Sequence, residues 1–307
     1  MRQPYKFRPD AYVLPSDLPI PGVGQQPVNG FLFRDGEPIL VDTGMPIDRQ
    51  EFLDALWSLI NPADLRWVVV THDDRDHSGA LADILDTAPH ARLITNGVSL
   101  IRLSEEFVIP ADRVVQVNPA QRLRLGRHEF EVLRPPTFDS PGTIGLFDNT
   151  EHTLISSDSF GTILPEPAEF LDITDPAFRE GFDVFNRAIA PWTAATDLPR
   201  FNAVLRRIER LVPSTVLSSH APVIGRHIGA LFNAMCDIPR CPRGCPVRRS
   251  AGRLRWPFRK TNSHSPGRRA LNLAASTARR HFASTVLQTQ GTGPESQWHD
   301  ATRWQST

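Results

Sequence analysis

The spacing of hydrophobic and polar positions changes several times along the chain, and each change marks an element. Residues 29–34 (NGFLFR) and 37–43 (EPILVDT) flank Asp35-Gly36, a tight-hairpin dipeptide, and predict two strands. Phe52, Leu53, Leu56, Leu59 and Ile60 then recur at helical spacing behind Pro46 and Asp48. The β-branched run 66–70 (RWVVV) predicts a strand covered on both faces. A helix is predicted over 79–86 and a strand over 91–95, with a helix before the next strands. Strand-like segments follow at 113–117, 121–125, 128–133, 144–148 and 153–156, interrupted by Pro135-Pro136 and Pro141-Gly142. Phe201, Val204, Leu205, Ile208 and Leu211 mark a later amphipathic helix, and 215–218 (TVLS) a last strand just before His220. This order predicts an α/β fold, a mixed sheet arrangement with helices outside.

After Ile238 the pattern fails. Residues 239–269 are rich in Arg, Pro, Gly and Ser, and 288–307 are polar; 271–287 has the makings of a short basic helix. Segments of this kind bury too little apolar surface to offset the entropy of ordering them. The expected organisation is a domain over 1–238 and a basic, largely disordered tail over 239–307.

Charge sharpens that division. The chain of 307 residues has no net charge, but 240–307 carries thirteen basic residues and only two acids, Glu295 and Asp300. The preceding part therefore holds 21 bases against 32 acids. A basic tail can touch nucleic acid through phosphates, although a solvated extension is the simpler expectation. The first residues lack the apolar run of a signal peptide, and no stretch approaches the roughly 20 apolar residues of a membrane span, so a cytoplasmic protein is expected. Cys236, Cys241 and Cys245 are odd in number and lack a fourth ligand for structural zinc.

The chemistry is concentrated in Thr71-His72-Asp73-Asp74-Arg75-Asp76-His77-Ser78-Gly79, at the carboxyl end of the RWVVV strand, where open α/β folds place ligands. His72, Asp74, Asp76 and His77 put four metal-binding side chains within six positions. Such a cluster suits two metal ions close enough to share a bridging water or hydroxide. A polar loop capping a helix, with Asp76 or Ser78 at its start, is the plainer alternative for the same residues.

His72-x-Asp74-x-Asp76-His77 with Gly79 resembles the His-x-His-x-Asp-His signature of the metallo-β-lactamase superfamily, and more closely the His-x-Glu-x-Asp-His-x-Gly of its flavodiiron branch. Val41-Asp42-Thr43-Gly44, Ser156-Ser157-Asp158-Ser159-Phe160-Gly161 and Ser218-Ser219-His220 resemble further segments of that family in the same order, over about residues 28–235. The resemblance implies an αββα sandwich. It implies that His72 and Asp74 bind a first metal, that Asp76, His77 and His220 bind a second, and that Asp158 bridges them. Asp76 and Asp158 would then take part in catalysis as well as ligation, and Asp42 would orient ligands from behind. The family supplies one more histidine to the first metal, but residues 134–142 contain none; Asp139, 19 residues before Asp158, stands near that place. A shell of His72, Asp74, Asp139 and Asp158 favours iron or manganese over zinc, with the first position the weaker, while the second also suits zinc.

The resulting expectation is a dinuclear hydrolase in which a metal-bridging hydroxide attacks a small-molecule substrate. One alternative is flavodiiron-like reduction of oxygen or nitric oxide. Flavodiiron proteins usually continue into a flavodoxin-like domain, for which 239–307 is too short and irregular, so that reading calls for a separate electron donor. A second alternative is a non-catalytic iron or oxygen sensor. Any of these is compatible with a homo-oligomer. Among the remaining histidines, His90, His128 and His152 are expected to be solvated or structural, and His227 to stand behind the ligands at most.

Overall fold

Alternate residues of the strands pack into different layers, which is how one chain builds two sheets and three hydrophobic cores. The computed structural model describes residues 1–170 and 172–240. Among these, a seven-stranded sheet has the order β1 (Tyr5–Arg8), β2 (Ala11–Ile20), β3 (Gly24–Phe33), β4 (Ile39–Val41), β5 (Trp67–Val69), β6 (Arg92–Thr95) and β7 (Val114–Gln116). Neighbours from β1 to β4 are antiparallel; those from β4 to β7 are parallel. A five-stranded sheet contains β8 (Arg122–Leu125), β9 (His128–Leu133), β10 (Gly145–Asp148), β11 (Thr153–Ile155) and β12 (Thr215–Leu217), with β11 and β12 parallel.

Leu32, Leu40, Val68 and Leu93 face outward onto α1 (Arg49–Leu59), α3 (Leu81–Thr87) and α4 (Gly97–Glu106), meeting Phe52, Leu56, Leu81, Ile84 and Leu103. Their neighbours Phe31, Phe33, Ile39, Val69 and Ile94 face inward and meet Phe130, Val132, Leu146, Ile155 and Leu217 of the second sheet. The outer face of that sheet, with Phe147, Leu154 and Val216, is covered by Phe178 and Phe182 of α5 (Pro176–Ile189), Phe201 and Leu205 of α6 (Leu198–Glu209) and Phe232 of α7 (Ile228–Cys236). The layers are therefore αββα. Each fully buried side chain of this size contributes about 1.5–3 kcal/mol by leaving water.

The predicted strands between residues 37 and 156, and the last at 215–218, all form, within two residues of their expected limits. The structure departs from expectation at the front. Residues 5–8 and 11–20 are strands, and 29–34 is only the second half of the ten-residue β3. The predicted helix over 79–86 forms as α3, and a short helical turn that the pattern did not predict, α2 (Arg75–Ser78), precedes it, so Asp76 and His77 lie on a helical turn rather than on an irregular loop. The C-terminal tail beyond Arg240, with its predicted helix at 271–287 and with Cys241 and Cys245, lies outside the described residues.

Candidate metal centre

Strand register brings distant parts of the sequence to one edge. Val41 pairs with Val69 in the first sheet and Ile155 with Leu217 in the second, each pair marking the last residues of parallel neighbours. His72, Asp158 and His220 each lie three residues beyond a strand, β5, β11 and β12 respectively. The turns leaving those strands are tied together: Asp42 N–H donates to Val69 O at 2.8 Å, and Ser219 N–H to Ser157 O at 2.9 Å. Asp42 and Ser157 adopt left-handed backbone angles (φ 56° and 53°), conformations that non-glycine residues keep only when surrounding contacts hold them. Gly79 closes the ligand segment against the turn after β4. A Cβ there would fall 2.4 Å from Gly44 O and from backbone atoms of Met45 and Pro46, so only glycine allows the approach.

At this edge Asp158 stands between three imidazoles. Its Oδ2 is 3.5 Å from His72 Nε2, and its Oδ1 is 3.0 Å from His77 Nε2 and 3.2 Å from His220 Nε2. His72 Nε2 also lies 3.6 Å from Asp139 Oδ1 and 3.8 Å from Asp74 Oδ2. Asp76 reaches the opposite side, 3.5 Å from His220 Nε2 and 3.8 Å from His77 Nε2. The structure thus gathers His72, Asp74, Asp76, His77, Asp139, Asp158 and His220, the seven predicted residues, into one cluster with two lobes that meet at Asp158. His72, His77, Asp158 and His220 are buried, while Asp74 and Asp139 form a partly exposed lip.

Each imidazole is oriented through its other nitrogen. His77 Nδ1 donates to Asp42 Oδ2 at 2.8 Å, and His220 Nδ1 donates to Pro27 O at 2.8 Å. His72 Nδ1 lies 3.2 Å from Ser157 Oγ, which donates onward to Thr71 Oγ1, which in turn donates to Asp42 Oδ2. With both serine and threonine protons directed toward Asp42, Ser157 Oγ accepts from His72 Nδ1. All three Nε2 atoms therefore face the cluster, the arrangement that outer hydrogen bonds impose on metal-binding histidines.

The donor set fits metal ions. His72 Nε2, His77 Nε2 and Asp158 Oδ1 are buried and have no hydrogen-bond partner, although they lie close to one another. Unsatisfied buried polar atoms are costly unless something completes them. Burial alone would push the Asp158 carboxyl up, but the charges of His72 and His77 hold it well below the usual carboxylate range. Burial likewise opposes charge on His72, His77 and His220, yet the neighbouring carboxylates raise all three. Asp74 is lowered by its bond to His72, whereas burial and then Asp158 push Asp139 up to about 6. The cluster thus favours positive charge at its centre, the kind of charge that a metal ion supplies.

His227 stands apart from this cluster and does not back the ligands; its ring is half exposed and bonded to Asp172. His128 is structural, buried between Asp148 and Asp35, and His90 and His152 are exposed. Three groups around the site were missed from sequence. Ser157 and Thr71 carry the hydrogen-bond chain, Phe185 packs on His220 with ring centres 5.1 Å apart, and Trp192 donates from Nε1 to Phe138 O beside Asp139. Ser157 lay within a noted motif; nothing in the local sequence pointed to Phe185 or Trp192.

Comparison with known proteins places this geometry in context. The family described as ODP family beta lactamase matches residues 27–220. A putative diflavin flavoprotein A 1 from Thermosynechococcus vestitus is 31% identical over 202 residues, covering 65% of this chain and 34% of its own length. Thus the present chain spans about a third of the length of that relative. Rubredoxin oxygen:oxidoreductase from Desulfovibrio gigas has a similar structure, with a TM-score of 0.66 at 18% identity over 78% of this chain and 62% of that one. A variant of the flavo di-iron protein from Thermotoga maritima has a TM-score of 0.66 at 19% identity, over 77% of this chain and 61% of that one. These relatives are named for flavin, di-iron and oxidoreductase chemistry, which overturns the hydrolase expectation and gives no support to zinc or manganese. In these relatives the matching region lies in proteins named for redox chemistry. Among the described residues no helix is long and apolar enough to cross a membrane.

Proposed function

The chain belongs to the ODP family of β-lactamase-fold proteins, and on that footing we propose that it is the metal-bearing part of a di-iron oxidoreductase that reduces dioxygen or nitric oxide. One observation carries the reading: a buried carboxylate, Asp158, faces three buried imidazole Nε2 atoms whose Nδ1 atoms are all engaged elsewhere. In this reading His72, Asp74, Asp139 and Asp158 would hold one iron, and Asp76, His77, His220 and Asp158 would hold the other. Bound iron would pass electrons from a separate donor to the small substrate.

The protein's own part is to bind, orient and shield. Asp42 holds His77 directly and His72 through Thr71 and Ser157, so both lobes are referred to one fixed carboxylate. Pro27 O and the Phe185 ring hold His220 from two sides. Asp74 and Asp139 leave the first lobe open to solvent and to a small molecule, while in the second lobe only Asp76 is partly exposed. Carboxylate-rich surroundings suit a hard cation such as iron. Electrons come from a separate donor, of the flavin or rubredoxin class named among the similar proteins.

The test is purification without added metal, followed by measurement of iron, zinc and manganese per chain. Oxygen and nitric oxide consumption are then followed with a chemically reduced flavin as donor. Close to two irons per chain with consumption of either gas supports the reading. Stoichiometric zinc, or iron with no reductive turnover of either gas, overturns it.

A further inference from the structure

Asp73 lies between two proposed ligands, His72 and Asp74, but its carboxylate is engaged outside the metal cluster. Its Oδ1 accepts from Ser99 Oγ at 3.0 Å and from Ser140 Oγ at 3.3 Å, and its Oδ2 accepts from Arg102 Nη1 at 3.2 Å. Arg102 Nη1 also donates to Ser140 Oγ at 3.3 Å. Ser99 and Arg102 belong to α4, whereas Ser140 directly follows Asp139 on the loop between β9 and β10. That loop presses closely on α4 at a second point. A Cβ on Gly142 would fall 2.3 Å from Ser99 Oγ, so the glycine lets the backbone sit against the helix.

Asp139 itself makes no comparable anchor; its side chain is 35% exposed and faces His72 at 3.6 Å. Its place therefore depends on the residues beside it. Phe138 is held through its carbonyl by Trp192, on the exposed side, and Ser140 by Asp73, on the buried side. We propose that Asp73 is a positioning residue: by holding Ser140 it sets Asp139 against His72 and Asp74, and so sets the affinity of the first metal position. The proposal rests on the reading of Asp139 as a ligand. Asp73 joins the two segments that supply that position's carboxylates, which lie 65 residues apart at Asp74 and Asp139.

The experiment is calorimetric titration of anaerobic ferrous iron into the metal-depleted full chain. The proteins compared are wild type, Asp139→Ala, Asp73→Ala, Ser140→Ala and the double variant Asp73→Ala/Asp139→Ala. Asp73→Ala and Ser140→Ala are each expected to weaken the first position by about 10- to 100-fold, as loss of an outer contact does, with the other position changed by less than about twofold. Ser140→Ala removes only a hydroxyl, so it separates geometry from the charge of Asp73 and stands in if Asp73→Ala does not fold. The double variant should bind no more weakly than Asp139→Ala alone, because Asp73 acts through Asp139. Additive losses in the double variant, equal weakening of both positions, or no effect of Asp73→Ala and Ser140→Ala where Asp139→Ala has one, overturns the proposal. Indifference of both positions to Asp139→Ala removes Asp139 as a ligand, and the role of Asp73 falls with it.

Discussion

His77 Nδ1 lies 2.8 Å from Asp42 Oδ2 in the buried floor of the cluster, and this contact determines which nitrogen of His77 faces Asp158. The same carboxylate accepts from Thr71 N–H at 2.8 Å, Thr71 Oγ1 at 3.0 Å and Ser219 Oγ at 2.9 Å. Four donors from three residues thus converge on one side chain that is fully buried.

Asp42→Asn tests that convergence. An amide has a single oxygen with two acceptor positions, so at least two of the four donors lose their partner, at about 1–3 kcal/mol each. The metal-free variant should melt at a lower temperature, and metal affinity at the His77 position should fall by about 10- to 100-fold. Thermal melting and metal per chain after dialysis measure the two effects. A folded variant with unaltered metal retention would show that Asp42 does not orient His77.

Asp139 gives the metal-free protein a stability that depends on pH. Burial and the Asp158 charge raise its carboxyl from 3.8 to about 6 in the folded state. The folded protein therefore binds this proton more tightly than the unfolded chain. The stabilisation is fully present below pH 3.8 and is lost as pH rises through about 6. Asp139→Asn removes the titration, so the metal-free variant should melt above wild type at pH 7 and the gap should close as the pH falls toward 4. The partial exposure of Asp139 screens the effect; each kcal/mol recovered corresponds to roughly 2–4 °C in a domain of this size. A melting difference that stays constant between pH 4 and 7 would remove Asp139 as its source.

A chain ending at Arg240 should fold and retain its metal. The three hydrophobic cores are assembled from residues up to Ile238, whose side chain is buried and whose carbonyl accepts from Arg187 Nε at 3.2 Å. The seven clustered acids and histidines also precede that point. Circular dichroism, melting temperature and metal content of the shortened protein should match those of the full chain. Loss of soluble folded protein would show that residues beyond 240 complete a core.

Most of the cluster was readable because its residues sit beside strand ends, and strand ends were readable from short apolar runs such as Trp67–Val69. The long hairpin of β2 and β3 was not. Pro15, Pro19 and Pro27 interrupt its pattern, and Ser16 and Asn29 are buried polar residues where alternation expects apolar ones. Pairing with a ten-residue neighbour, which a local pattern does not reveal, holds these positions in the sheet. The outer contacts were hidden for a similar reason. Asp73 meets Ser140 across 67 positions, and Ser157 meets Thr71 across 86, so only the assembled fold brings them together. Function was misread at a different level: the ligand types allow hydrolysis and redox chemistry alike, and similarity to redox proteins separated them.

The decisive variant for the cluster is Asp158→Asn, which keeps the shape of the side chain and removes its charge. Asp158 faces His72 with one oxygen and His77 and His220 with the other, so it is the group shared by both lobes. Two cations held close together in a buried cleft repel strongly, and a negative bridge offsets that repulsion. Asp74, at 46% exposure, touches only the His72 side, so Asp74→Asn should reduce the first position and spare the second. Asp158→Asn should therefore lose more metal per chain than Asp74→Asn and abolish reduction of oxygen or nitric oxide. His152→Asn is the control: the side chain is exposed, asparagine tolerates the left-handed backbone there (φ 50°), and metal content should not change. Full metal retention by a folded Asp158→Asn protein would remove Asp158 from the bridging place and with it the two-lobed reading of the site.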